Sequence, residues 1–191
     1  RRQRQMCIRD SYISTVFDTS NNKVVIAFRD ASGASGGYGT GIVGTVSGTS
    51  ISFGTKQAFN SDNTNPISAT FDSNSNKVVI AFKDGSGSND ASAVVGTVSG
   101  TSISFGSIAQ FDSNALSTYA SAVFDSSNNK VVISYSDAGL GTSVVGTVSG
   151  TSISFGSEVI FNNASTNAIE SAFDSTNCLL YTSDAADECS G

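Results

Sequence analysis

The segment Val43-Gly44-Thr45-Val46-Ser47-Gly48-Thr49-Ser50-Ile51-Ser52-Phe53-Gly54 recurs without a change at residues 95–106 and again at 145–156, spacings of 52 and 50 residues. A second block, Asn22-Lys23-Val24-Val25-Ile26-Ala27-Phe28-Arg29-Asp30, returns as residues 76–84 and, more loosely, as 129–137. A Phe-Asp pair marks each unit, at Phe17-Asp18, Phe71-Asp72, Phe124-Asp125 and Phe173-Asp174. The chain therefore divides into repeats at 12–60, 61–112 and 113–162, with 163–177 supplying the first strand of a fourth. Repetition at this period signals units that bury their apolar faces against their neighbours, because none can bury them alone.

Within a unit, short runs of β-branched and aromatic residues alternate with clusters of Gly, Ser, Asn and Asp, the pattern of strands and turns. In the second unit the strands are expected at Ile67–Phe71, Lys77–Lys83, about Ser92–Ser99, and Ser102–Phe105 with a continuation toward Phe111. Gly100-Thr101 forms the tight turn between the last two, where glycine can take positive φ. No sustained 3.6-residue apolar stripe supports a helix. Val78, Ile80 and Phe82 point one way along strand two while Val79 and Ala81 point the other. Both faces are apolar, so a layer must pack on each side. Strand four carries Ile103 and Phe105 on one face and serines on the other, as a strand with one solvated face does.

The fold class is thus all-β: tandem four-stranded antiparallel meanders. A meander repeating at this length resembles a β-propeller blade of the kelch or Asp-box size class, although neither the diglycine kelch motif nor the Asp-box motif is present. Three blades and one strand fall short of the about four to eight that close a ring, which leaves unpaired edges.

The two ends stand outside the repeat. Arg1-Arg2-Gln3-Arg4-Gln5-Met6-Cys7-Ile8-Arg9-Asp10 can be encoded by CGT CGG CAG CGT CAG ATG TGT ATA AGA GAC, which looks like a transposase-type sequencing adapter read in frame. The reverse complement of that DNA, preceded by one further T, translates as the run from Cys178 to Asp187 residue for residue. Residues 1–11 and 178–191 are accordingly expected to be adapter-derived tails. They hold all three cysteines and the methionine, so no disulfide or thiolate site is inferred. They also hold four arginines and four acids, so the remainder keeps six basic and twelve acidic residues and the same net charge of −6. An acidic surface without clustered Lys and Arg argues against nucleic-acid binding. No apolar stretch approaches the roughly 20 residues of a membrane helix, so no membrane insertion is expected.

Between the tails there is no His, Cys or Trp, which excludes Ser-His-Asp and Cys-His nucleophiles and imidazole metal sites there. The aspartates after strand one (Asp18, Asp72, Asp125 and Asp174) precede Ser and Asn runs, where a side chain bonding the backbone two residues on makes a turn. Asp30, Asp84 and Asp137 close strand two and each opens a Gly- and Ser-rich loop. Asp84-Gly85-Ser86-Gly87-Ser88-Asn89-Asp90 spaces oxygens at alternate positions as a Ca2+ loop does, but lacks a closing Glu; a plain turn is the competing expectation. Differences between the units concentrate in the two-to-three loop and in the link from strand four to the next strand one. In an up-down meander these lie at the same end. A rigid scaffold presenting variable loops suits recognition, and Tyr38, Asn89, Asp90, Asn114 and Tyr119 join Asp30, Asp84 and Asp137 as candidate ligand-binding residues. Unconstrained drift of loops is the alternative.

The combination of Phe-Asp-Ser-Ser-Asn-Asn-Lys-Val-Val-Ile, at residues 124–133, with the Val43–Gly54 segment resembles tandem repeats of aquatic phage and bacterial proteins, some of them tail or fibre components. The resemblance implies an adhesive or structural role at a virion surface or outside a cell, with a surface glycan or protein as ligand and no catalytic residue to transfer. Further repeats of the same parent chain are expected partners. Two other expectations stay open: a glycan hydrolase or lyase using the strand-two aspartates, and a purely structural fibre.

Overall fold

A computed structural model describes residues 13–32, 37–86, 89–166, 168–175 and 179–184, with 114–118 and 179–184 described by their backbone alone. Among the described residues every regular element is a strand. The first unit holds β1 (Ile13–Asp18), β2 (Lys23–Asp30), β3 (Tyr38–Ser47), β4 (Ser50–Phe53) and β5 (Gln57–Asn60). The second holds β6 (Thr64–Asp72), β7 (Lys77–Asp84), β8 (Asp90–Ser99), β9 (Ser102–Phe105) and the start of β10 (Ala109–Asp125). The third takes the end of β10 with β11 (Lys130–Asp137), β12 (Leu140–Ser149), β13 (Ser152–Phe155) and β14 (Val159–Asn162). A hairpin of β15 (Ile169–Asp174) and β16 (Leu179–Asp184) follows, with Asp174 opposite Leu179 as Asp18 is opposite Lys23. No helix among these residues is long and apolar enough to cross a membrane.

Each unit is an antiparallel meander, as the alternation of its residues requires. Strand four comes in two pieces. In the first unit β4 pairs with the end of β3 through Gly44↔Phe53, and β5 pairs with its beginning through Gly39↔Asn60. Between them Gly54 still donates its N–H to the Val43 carbonyl at 2.9 Å, then the chain steps away for two residues. The turns follow from local chemistry. Gly48, Gly100 and Gly150 adopt φ of 59°, 62° and 62° at the first position of their two-residue loops, as a type II′ hairpin demands. Asp18, Asp72 and Asp125 each accept N–H bonds of 2.9–3.0 Å from residues two and three further on. These are turn aspartates.

The units stack face to face. Val78, Ile80 and Phe82 pack with Val25, Ala27, Val43 and Phe59 of the first unit, while Val79, Ala81 and Val95 pack with Ile133, Tyr135 and Val144 of the third. The two faces of strand two are thus buried on opposite sides, as its alternation dictates. Truncating Phe82, fully buried, would cost about 3–5 kcal/mol.

Three contacts recur at each junction. The first is an aromatic clamp: Phe59 lies 5.1 Å from Phe82 and 5.4 Å from Phe105, and Phe111 lies 5.2 Å from both Tyr135 and Phe155. The second is a hydroxyl clip between first strands. Ser14, Ser68 and Ser121 accept the N–H of Ala69, Ala122 and Ser171 at 2.9, 3.0 and 2.9 Å, satisfying an edge donor that strand pairing leaves over. The third is a backbone approach so close that only glycine fits. A Cβ on Gly54 would lie 1.8 Å from the Thr101 carbonyl oxygen, and one on Gly106 1.8 Å from that of Thr151.

The links into the second and third units differ. After Asn60 the chain bends through residues 61–63 before β6 starts, whereas β10 runs unbroken from the outer edge of the second unit to the inner edge of the third. Its first part pairs with β8 and its last with β11, with register shifts at Gln110/Asp112, Asp112/Ala115 and Leu116/Ala120 that turn it from one sheet to the other.

Candidate functional site at the end of strand two

Strands β2, β7 and β11 end where their apolar alternation gives way to Asp30, Asp84 and Asp137. The carboxylate then folds the following loop back on itself. Asp30 accepts from the Ser32 N–H at 3.1 Å and from its hydroxyl at 2.6 Å, and Asp84 accepts from the Ser86 N–H at 3.0 Å. The link from strand four to the next strand one lies at the same end. Asn60 pairs with Gly39 in register, Thr64 with Asp84, and the Gly85 N–H reaches the Asn63 carbonyl at 3.0 Å.

This equivalent position carries a different partner in each unit. Lys56 donates to Asp30 at 2.6 Å, and that bond, then those from Ser32, holds the Asp30 carboxyl well below its ordinary value. Asn60 donates its side-chain amide to Asp84 and to the Thr64 hydroxyl, both at 3.1 Å, joining the first unit to the second. At the next junction Asp112 stands where Asn60 does, and Glu158 where Lys56 does. Asp112, Asp137 and Glu158 each place a carboxylate oxygen within 4.8 Å of the others; Asp112 is buried, Asp137 half-buried and Glu158 exposed. The buried Tyr135 hydroxyl donates to Glu158 at 2.8 Å. Burial first, then that bond and the charges of Asp112, Glu158 and Asp137, push the Tyr135 phenol far above its ordinary value.

Three converging carboxylates are the donor set of a hard cation such as Ca2+, and they are the group among the described residues able to offer one. The calcium expectation at Asp84–Asp90 fares differently. Asp84 is engaged by Asn60 and by the Ser86 N–H, and Ser88 lies outside the described residues.

The candidates from sequence fall into local groups, one per unit. Tyr38 begins β3 opposite Asp30, half-buried. Asp90 begins β8 opposite Asp84, and Asn89 before it takes φ of 64°. Asn114 and Tyr119 lie within β10 where a loop was expected, because that strand continues unbroken from its pairing with β8 to its pairing with β11; the Asn114 side chain is outside the described residues and Tyr119 is half-buried. Lys56, Asn60, Asp112, Tyr135 and Glu158 were missed. Aligning the strand-four continuations on Phe59, Phe111 and Phe161 would have placed Asn60, Asp112 and Asn162 together. The pairing with the next unit's strand-two aspartate needed the stacking. The chain finds no match among protein-family models, curated proteins or solved structures.

Proposed function

We propose that this chain is a non-catalytic binding or structural repeat module with β-propeller-like stacking. It is displayed at a virion or cell surface and engages a glycan or another surface ligand through the end of the units where strand two meets strand three. One contrast carries the reading. The clamp, clip and glycine contacts repeat from junction to junction, while the same end of successive units presents a lysine ion pair, an amide bridge and an acidic group. A uniform scaffold with a non-uniform end is how a recognition surface is built.

The test is binding of the full chain to an array of glycans, with Lys56→Ala, Asp84→Ala and Asp137→Ala compared at matched melting temperature. Loss of binding with the fold intact is the expected outcome; a chain that retains every ligand after all three changes would refute the assignment of the binding end. The acidic group gives a specific ground for a second reading, a glycan-active hydrolase. Turnover of an arrayed glycan that Asp137→Ala abolishes without unfolding would select it.

A further inference from the structure

We infer that the outward face of the first unit is the seat of one further repeat of this same kind, whose aromatic knob enters between Phe28 and Phe53. The inference rests on the reading of the chain as a stacked repeat module and says which surface continues the stack.

The warrant is continuity with the interface formed twice within the chain. Phe59 enters between Phe82 and Phe105, and Phe111 between Tyr135 and Phe155. Phe28 and Phe53 occupy those same two positions in the first unit. Their surroundings are bare: Val46, Ile51 and Phe53 are 55%, 46% and 50% exposed, whereas Val98 and Ile103, which match the first two in the second unit, are 7% and 5% exposed. Ile13 is 64% exposed where its counterpart Ile67 is 1% exposed. These side chains lie on one sheet face, because their positions are those that pack the second unit onto the first. A contiguous apolar face of this kind marks an interaction site.

The far end of the stack shows the complementary features without partners. Phe161 is 44% exposed where Phe59 is 7% exposed. A Cβ on Gly156 would find its nearest neighbour at 3.8 Å, against 1.8 Å on Gly54 and Gly106. A repeat placed ahead of Ile13 would bring a knob like Phe161 and a glycine like Gly156 to the face that lacks both.

The experiment prefixes Ile13 with a copy of residues 113–168, which preserves the spacing from Asn162 to Ile169 found at the native link. Binding of an apolar dye and thermal melting are followed. The original chain is expected to bind the dye. The extended chain is expected to lose at least half of that signal and to melt higher in a single transition. Phe161→Asp in the prefixed copy is expected to restore the dye signal. An extended chain that keeps its dye binding, or whose added unit melts separately, overturns the inference. A second comparison needs no added unit: Phe53→Asp in the original chain should lower dye binding without lowering its melting temperature, whereas Phe105→Asp should lower it. Equal losses of stability would overturn the inference. So would concentration-dependent dimerisation of the original chain that Phe53→Asp abolishes, because the seat would then belong to a second copy. Glycan binding does not enter any of these readouts, so failure of the ligand assignment would leave them unchanged.

Discussion

Gly106 and Gly156 end identical stretches of sequence, and each donates its N–H to a strand-three carbonyl, at 2.9 and 3.0 Å. What separates them is the next unit. A Cβ on Gly106 would stand 1.8 Å from the Thr151 carbonyl oxygen, so that backbone would have to retreat by at least about 1.2 Å to reach the 3.0 Å that real Cβ contacts respect. The obstacle is backbone in a two-residue hairpin turn and not the end of a flexible side chain, so the turn or the unit that carries it must shift. Overpacking of this kind costs about 1–3 kcal/mol or somewhat more. Replacing glycine by alanine returns about 0.4–1 kcal/mol through the unfolded chain. Gly106→Ala should therefore lose about 2 kcal/mol, while Gly156→Ala, which meets nothing closer than 3.8 Å, should gain about 0.5 kcal/mol. At about 2–4 °C per kcal/mol for a chain of this size, melting should fall by about 4–8 °C in the first case and rise by about 1–2 °C in the second. Differential scanning calorimetry of the two variants side by side measures this. Melting temperatures that agree within a degree would show that the units do not approach as closely as described.

Other outcomes follow from the same contacts. Asp112→Asn should stabilise the chain by about 1 kcal/mol in urea denaturation at neutral pH, since it removes one of three neighbouring negative charges and restores the amide that Asn60 offers Asp84; a loss of stability would mean that the acidic group holds a compensating cation. Ser68→Ala should cost about 1–2 kcal/mol by orphaning the Ala122 N–H, and hydrogen exchange at that amide should quicken. Because the folded state raises the Tyr135 phenol above its ordinary 10.0, the unfolded chain sheds that proton first, so stability is complete below pH 10 and declines above it. The difference between the chain and Tyr135→Phe, measured from pH 8 to pH 11 by denaturant melts, should show that decline in the unmodified chain; parallel curves would contradict it.

Strand faces and turns were legible because they depend on neighbours in sequence. Strand four of the second unit was placed at Ser102–Phe105, as observed, because Gly100-Thr101 leaves one hairpin geometry available. The opposed burial of Val78 and Val79 followed from alternation alone. Contacts between units were less legible. Gly54 and Gly106 have no local requirement that the sequence shows; what they answer to is the carbonyl of Thr101 or Thr151 in the next unit. The stretch from Asp112 to Tyr119 read as a polar loop, yet the free edges of β8 and β11 draw its two halves into pairing and make it strand. The strand-two aspartates stand out in the sequence because each closes an apolar strand and opens a Gly- and Ser-rich loop. Their partners Lys56, Asn60 and Glu158 emerged only once the continuation of strand four was known to run beside them.

The unbroken β10 also gives the chain a mechanical grain. Tension applied at the ends crosses from the second unit to the third along a single 17-residue strand hydrogen-bonded on both sides of the crossing, so those two units must yield together in shear. Between the first and second units no strand is shared: the covalent path is the short bend at 61–63, and the Phe59 clamp, the Ser14 clip, the Gly85 to Asn63 bond and the Asn60 bridge hold the two sheets together from separate strands. Under load the first unit is therefore expected to part from the stack before the two units that share β10 part from each other.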